Sequence, residues 1–147
     1  MSETKRESRI MVVDDDSDTL AILSHHLKRE GFTTVEVSSG RECLRLVREV
    51  SIDIILLDLM MPEMDGFQVL RALKNNPDTA EIPVIMITAR DDIEARAEGM
   101  NLGVSDFLAK PVFRRQLANR VRAQLEMVSG SRATSATLSR FDPSRRR

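Results

Sequence analysis

The sequence predicts a doubly wound α/β domain, and three observations carry that reading. Segments with strand patterning and segments with helix patterning alternate five times, the strand segments are apolar on both faces, and each of several strands runs into an acidic, hydroxyl or basic residue at its end. Strands buried on both faces belong to a parallel sheet covered by helices on each side, because a half-exposed antiparallel strand would alternate apolar and polar residues.

The first strand is Ile10-Met11-Val12-Val13, which stops at Asp14, Asp15 and Asp16. Ser17 is placed to cap the first helix, in which Leu20, Leu23 and Leu27 recur at helical spacing until Gly31 stops it. A second strand follows over residues 33–37, and a second helix over 40–50 carries Leu44, Leu46 and Val47 among Arg and Glu. Ile54-Ile55-Leu56-Leu57 is the most hydrophobic strand and ends at Asp58. Pro62 disfavours helix in the residue before it, so residues 60–64 read as a loop, and Asp65-Gly66 offers a cap to a third helix with Phe67, Leu70 and Leu73. Turn residues at 75–78 precede a fourth strand over 83–88. The fourth helix spans 91–102 and is closed by Gly103. A fifth strand over 106–109 reaches Lys110-Pro111, after which Phe113, Leu117, Val121 and Leu125 step by fours down one face of the last helix.

Length and composition agree with one folded unit. The chain has 147 residues, of which 41% are hydrophobic, enough for one core. A single cysteine, Cys43, has no disulfide partner and reads as a small packing residue, and no Cys/His cluster has the spacing of a zinc site. No apolar run approaches the roughly 20 residues that span a bilayer, and the polar start has no apolar segment behind it. A soluble protein of the cytoplasm is expected, with no membrane partner. Residues 1–8 are read as a flexible leader, 9–128 as the folded domain and 129–147 as a flexible basic tail or linker. That tail carries Arg132, Arg140, Arg145, Arg146 and Arg147 against Asp142, which leaves the body mildly acidic. Few large apolar groups are present there to offset the entropy of ordering.

In open parallel sheets the site lies beyond the carboxyl ends of the strands, so the residues to collect are Asp14, Asp15, Asp58, Thr88 and Lys110. Three clustered carboxylates repel one another unless a cation neutralises them, and a hard, oxygen-seeking ion such as Mg²⁺ suits carboxylate, carbonyl and water ligands. Phosphoryl transfer needs a nucleophile, a metal that draws charge from the phosphoryl oxygens, and donors for the rest. Asp58 supplies the first, Asp14 and Asp15 the seat of the second, Thr88 and Lys110 the third. Asp16 and Asp18 read as loop or helix-cap acids, and the His25-His26 pair as surface or boundary residues.

Met11-Val12-Val13-Asp14-Asp15-Asp16, the run Leu56 to Gly66 with its Met60-Met61-Pro62-Glu63-Met64-Asp65-Gly66 ending, Ile87-Thr88-Ala89, and Phe107-Leu108-Ala109-Lys110-Pro111 resemble the signature of response regulator receiver domains in order and spacing. The match covers about residues 9–128. The resemblance implies a flavodoxin-like fold with strand order 2-1-3-4-5 and five helices. It implies phosphorylation of Asp58 by a sensor histidine kinase or a phosphotransfer protein in two-component signalling. It implies Mg²⁺ or Mn²⁺ on Asp15, Asp58 and the Met60 carbonyl, with Asp14 acting through water, and a cis peptide before Pro111. Family members tune the life of the acyl phosphate two places after the phosphorylated Asp and two after the Thr, here Met60 and Arg90. They switch through the Thr and an aromatic, here Thr88 and Phe107, with Phe107 turning inward on phosphorylation to reshape the surface of helix 4, strand 5 and helix 5, where a homodimer is expected.

Rival readings fail on named residues. A flavin-binding fold relative needs a phosphate-cradling Gly/Ser/Thr loop after the first strand, where this chain has three aspartates, and an aspartate-nucleophile phosphatase needs an acid where Met60 stands. A receiver acting only as a scaffold would lack one of the five site residues. Five arginines in the tail are only weak evidence for a nucleic-acid partner, and none is expected. No effector domain is read behind the receiver, so the expectation is a receiver that acts by protein contact or one cut from a longer regulator.

Overall fold

The computed structural model describes residues 7–140, with side chains through residue 128. Five strands, β1 (Arg9–Val13), β2 (Thr33–Val37), β3 (Ile54–Leu57), β4 (Val84–Thr88) and β5 (Asp106–Ala109), form one parallel sheet in the order 2-1-3-4-5. The helices are α1 (Ser17–Arg29), α2 (Gly40–Leu46), α3 (Gly66–Asn75), α4 (Ile93–Asn101) and α5 (Arg114–Arg140). Alternate strand residues point to opposite faces, which is why the strands read as apolar throughout. Ile10, Val12, Ile54, Leu56, Ile85 and Ile87 meet Leu20, Leu23 and Leu27 of α1 and Leu117 and Val121 of α5 on one face. Met11, Val13, Ile55, Leu57 and Met86 meet Cys43, Val69, Leu70, Leu73 and Ala95 on the other. Each such side chain contributes about 1.5–3 kcal/mol relative to exposure, so β3, buried along its whole length, anchors the centre of the sheet.

Register decides what meets at the carboxyl edge. Val13 lies opposite Val37 and Leu57, and the ladder runs one residue further, with Asp58 N donating to Val13 O at 3.0 Å and Asp14 N to Val37 O at 3.1 Å. Asp14 and Asp58 therefore leave neighbouring strands at one level. Thr88 lies opposite Ala109, and Lys110 N donates to Thr88 O at 2.9 Å, which brings the lysine to the same edge.

Several local expectations change. Asp16, not Ser17, caps α1: its backbone is extended and its carboxylate accepts from Thr19 N at 3.0 Å. The chain leaving β1 makes its turn through the aspartates, so the cap falls one residue early. Likewise α2 stops at Leu46 and α4 starts at Ile93 behind an Asp92 cap. Phe113 precedes α5 and is 68% exposed, so it does not share the stripe of Leu117 and Val121. Gly31 and Gly103 close their helices with φ of 94°, which side chains rarely adopt.

The end of the domain also differs. Helix α5 continues through 129–140, residues read from the sequence as flexible. Propagating a formed helix adds one hydrogen bond per residue fixed, and Ala, Arg, Ser and Thr there, with no proline before Pro143, allow it. Residues 141–147 of that tail, and residues 1–6 of the leader, lie outside the described residues. Ser8 O accepts from Thr33 N at 3.0 Å and Glu7 from the Thr33 hydroxyl at 2.8 Å, so the leader's last residues are tied to β2. No helix among the described residues is long and apolar enough to cross a membrane.

Candidate functional site

Four strand ends converge on one cluster. The Asp14 side chain is buried, with Oδ1 accepting from Asp16 N at 2.9 Å and Oδ2 from Lys110 Nζ at 2.8 Å. Asp58 is 5% exposed; its Oδ1 accepts from Met60 N at 3.3 Å, and its Oδ2 stands 3.6 Å from Lys110 Nζ. Asp15 is exposed at the rim. One carboxylate oxygen from each of Asp14, Asp15 and Asp58 lies within 4.8 Å of the others. Thr88 is fully buried, and its hydroxyl oxygen accepts from Arg90 N at 3.2 Å. The Lys110–Pro111 peptide is cis.

Electrostatics follow from this packing. Burial, then the neighbouring Asp14, pushes the Asp58 carboxyl above its ordinary value, against the lowering pull of Lys110, the Met60 amide and the Thr88 hydroxyl. Burial works against the Lys110 charge, but the hydrogen bond to Asp14 and the field of Asp58 and Asp14 outweigh it and hold the ammonium above its usual value. Three carboxylates against one ammonium leave the cluster short of positive charge. All the donors are oxygen, the set that a hard divalent cation takes, so the residues fit such an ion.

Gly66 has a role that the sequence reading did not assign. A Cβ there would stand 2.5 Å from the Asp58 carbonyl oxygen and 2.8 Å from Leu59 Cα. Only glycine lets the first turn of α3 close on the Asp58 backbone, where Gly66 N donates to Leu59 O at 2.8 Å. The signal was present as the glycine eight residues after the aspartate, but a capping role explained it equally well.

Beside Lys110, a cleft of about 340 Å³ is lined by Thr19, Ile22, Leu23, Ile87, Pro111 and Val112. Ile22, 54% exposed, stands on this side of α1. Phe113, read as part of the apolar face of the last helix, follows Val112 and is exposed. Helical periodicity had no authority over it, because it lies before the helix begins.

The remaining singled-out residues fall as follows. Phe107 is 6% exposed, with the Arg96 guanidinium 5.0 Å over its ring and Gly99 alongside. His25 is exposed and His26 half-buried, with burial, His25 and Arg114 pushing His26 down. Cys43 is fully buried, and burial pushes its thiol up to about 12, as suits a packing residue.

Comparisons with known proteins follow the same line. The response regulator receiver domain profile matches residues 10–122. The Staphylococcus aureus transcriptional regulatory protein SrrA is 38% identical over 136 residues, 92% of this chain and 53% of SrrA. The chain thus spans about half the length of the curated relatives it matches. Among solved structures, the receiver domain of a signal transduction histidine kinase from Syntrophus aciditrophicus aligns with 36% identity and a TM-score of 0.76, covering 82% of this chain and 92% of that one. The Vibrio cholerae chemotaxis protein CheY4 aligns with 27% identity and a TM-score of 0.78, covering 82% of this chain and all of that one.

Proposed function

Because the chain belongs to the response regulator receiver domain family of two-component signalling, we propose that it takes a phosphoryl group onto Asp58 from a phosphohistidine of a sensor histidine kinase or phosphotransfer protein. The observation that carries this is the meeting of strand ends at Asp58: Asp14 and Asp15 within 4.8 Å and Lys110 3.6 Å away.

The Asp58 carboxylate attacks phosphorus in line, and the imidazole of the donor leaves with the bonding electron pair. Lys110 holds positive charge beside the incoming oxygens, and Thr88 offers its hydroxyl to one of them. We assign Mg²⁺, or Mn²⁺ in its place, to Asp15, Asp58 and the Met60 carbonyl; when bound it draws charge from the phosphoryl oxygens. Asp14 is given a water-mediated place because both its oxygens already accept, from Asp16 N and from Lys110. The chain is a phosphoacceptor that assists its own loading and its own hydrolysis, rather than an enzyme with a separate substrate.

The donor docks at the apolar cleft beside Lys110, where Ile22 offers exposed apolar surface. Output passes through Thr88 and Phe107 to α4, β5 and α5, where exposed Ile93 and Met100 on α4 suit a second copy. Residues 9–128 form the receiver unit, with 1–8 as a leader and 129–147 as a basic tail or linker, and the protein works in the cytoplasm without membrane contact. Borohydride reduction of phosphodonor-treated protein converts an aspartyl phosphate to homoserine. Peptide mapping is expected to place that homoserine at Asp58, and its appearance at another carboxylate would overturn the assignment.

A further inference from the structure

Met60 stands out among the methionines. Met11 and Met86 are fully buried and Met61 nearly so, whereas Met60 is 57% exposed, joined in exposure by Met100 and Met127 on α4 and α5. Exposure alone would not single it out, but its position does. Its amide N–H holds Asp58 Oδ1 at 3.3 Å, as the Arg90 amide holds the Thr88 hydroxyl at 3.2 Å. Met60 and Arg90 line one open pocket of about 340 Å³ with Leu59, Met61, Asp65 and Phe67. On the Arg90 side the guanidinium Nε is engaged by Asp92 at 3.1 Å. The Met60 side of the rim is a thioether, a weak acceptor that does not hold water.

We propose that Met60 is a redox-sensitive modification site, at which oxidation of the thioether by a peroxide to the sulfoxide shortens the life of the acyl phosphate on Asp58. The oxidation balances simply: sulfur gains one oxygen and loses two electrons, and the peroxide is reduced to water. The sulfoxide is polar and accepts hydrogen bonds strongly. At the rim it can hold a water whose oxygen adds to phosphorus. The bond from phosphorus to the Asp58 oxygen then breaks, the carboxylate leaves with its electron pair, and the water's proton passes to solvent. One such hydrogen bond, made in the transition state and absent before, accelerates decay by about fivefold.

This inference rests on Asp58 being the phosphoacceptor, and the experiment keeps the two apart. Phosphodonor-labelled protein, with and without prior hydrogen peroxide, is followed by intact mass for loss of the phosphoryl group, and peptides are mapped for added oxygen. The expected result is sulfoxide at Met60, decay about fivefold faster, and return of the slow decay after treatment with methionine sulfoxide reductase. Met60→Leu, whatever its own starting rate, is expected to lose the response, decaying at the same rate with and without peroxide, although Met100 and Met127 oxidise as before. Met60→Gln, a permanent acceptor, is expected to decay fast without peroxide. Unchanged decay in protein carrying Met60 sulfoxide, or equal acceleration in Met60→Leu, would overturn the inference while leaving phosphorylation intact. Absence of any phosphoryl adduct before oxidation would overturn the assignment of Asp58 and this inference with it.

Discussion

Lys110, at the end of β5, donates a 2.8 Å hydrogen bond to Asp14, at the end of β1, and so ties the edge of the sheet to its interior strands. The same ammonium stands farther from Asp58, at 3.6 Å. The lysine is therefore committed first to Asp14, the neighbour of Asp58, and the negative charge of Asp58 stays only partly compensated.

That imbalance predicts a stability effect. The folded-state value of the Asp58 carboxyl is raised, by burial and then by Asp14, so its proton binds more tightly in the folded than in the unfolded chain. Its contribution is most favourable below the unfolded value and is lost as pH rises through the folded one. Asp58→Asn should therefore raise the melting temperature of metal-free protein at pH 7, and the gain should shrink as the pH falls through the raised folded value and be gone below the ordinary carboxylate value. Thermal melts in chelator across pH check this; a variant less stable than the parent at pH 7 would contradict it.

The two rim positions predict a long-lived acyl phosphate. Met60 holds water poorly, and Arg90 lines the same pocket. Met60→Asn with Arg90→Glu is expected to speed loss of the phosphoryl group about tenfold, read by intact mass over time. An unchanged rate would remove these side chains from the account.

Glu63 is the one described residue other than glycine with positive φ, at 67°. The left-handed region costs an L side chain roughly 1–2 kcal/mol, partly offset by the greater unfolded-state freedom of glycine. Glu63→Gly is expected to stabilise the fold by about 0.5–1 kcal/mol, measured by urea unfolding at unchanged slope. A loss of stability would mean that the Glu63 side chain is held by something other than its backbone position.

Much of the fold was legible because the signals were local and repeated. The Ile54 to Leu57 run closing on Asp58 needed only an apolar stretch and an acid, and the cap at Asp65 was read from its place before an apolar helix, although its reciprocal bonding with Gln68 was not. The ends of elements were less legible, since Asp16, Ser17 and Asp18 are all competent caps and the exit path of β1 chooses among them. Phe113 was misjudged because an apolar residue at a multiple of four looks helical even when the helix starts after it. The close approach of Gly66 to Asp58 depends on how α3 packs against β3, and the spacing of the two residues alone does not tell it from a helix cap.

Phe107 also changes the expected switch. Its ring is already buried beneath Arg96 beside Gly99, so movement of Thr88 toward a phosphoryl oxygen should repack a buried ring rather than draw one in from solvent. Beryllofluoride, as a phosphoryl mimic with Mg²⁺, is expected to shift the NMR signals of Phe107 and Thr88 together, along with Arg96 and Gly99. Saturation of the site with no change at Phe107 would reject this route.

If Asp58 accepts the phosphoryl group with help from a divalent cation, as proposed, the mass of the intact protein records it. Protein incubated with a small acyl-phosphate donor and Mg²⁺ is expected to gain one phosphoryl mass, to lose that gain in excess chelator, and to show none in Asp58→Asn. The same adduct in Asp58→Asn, or full labelling in chelator, would contradict the account.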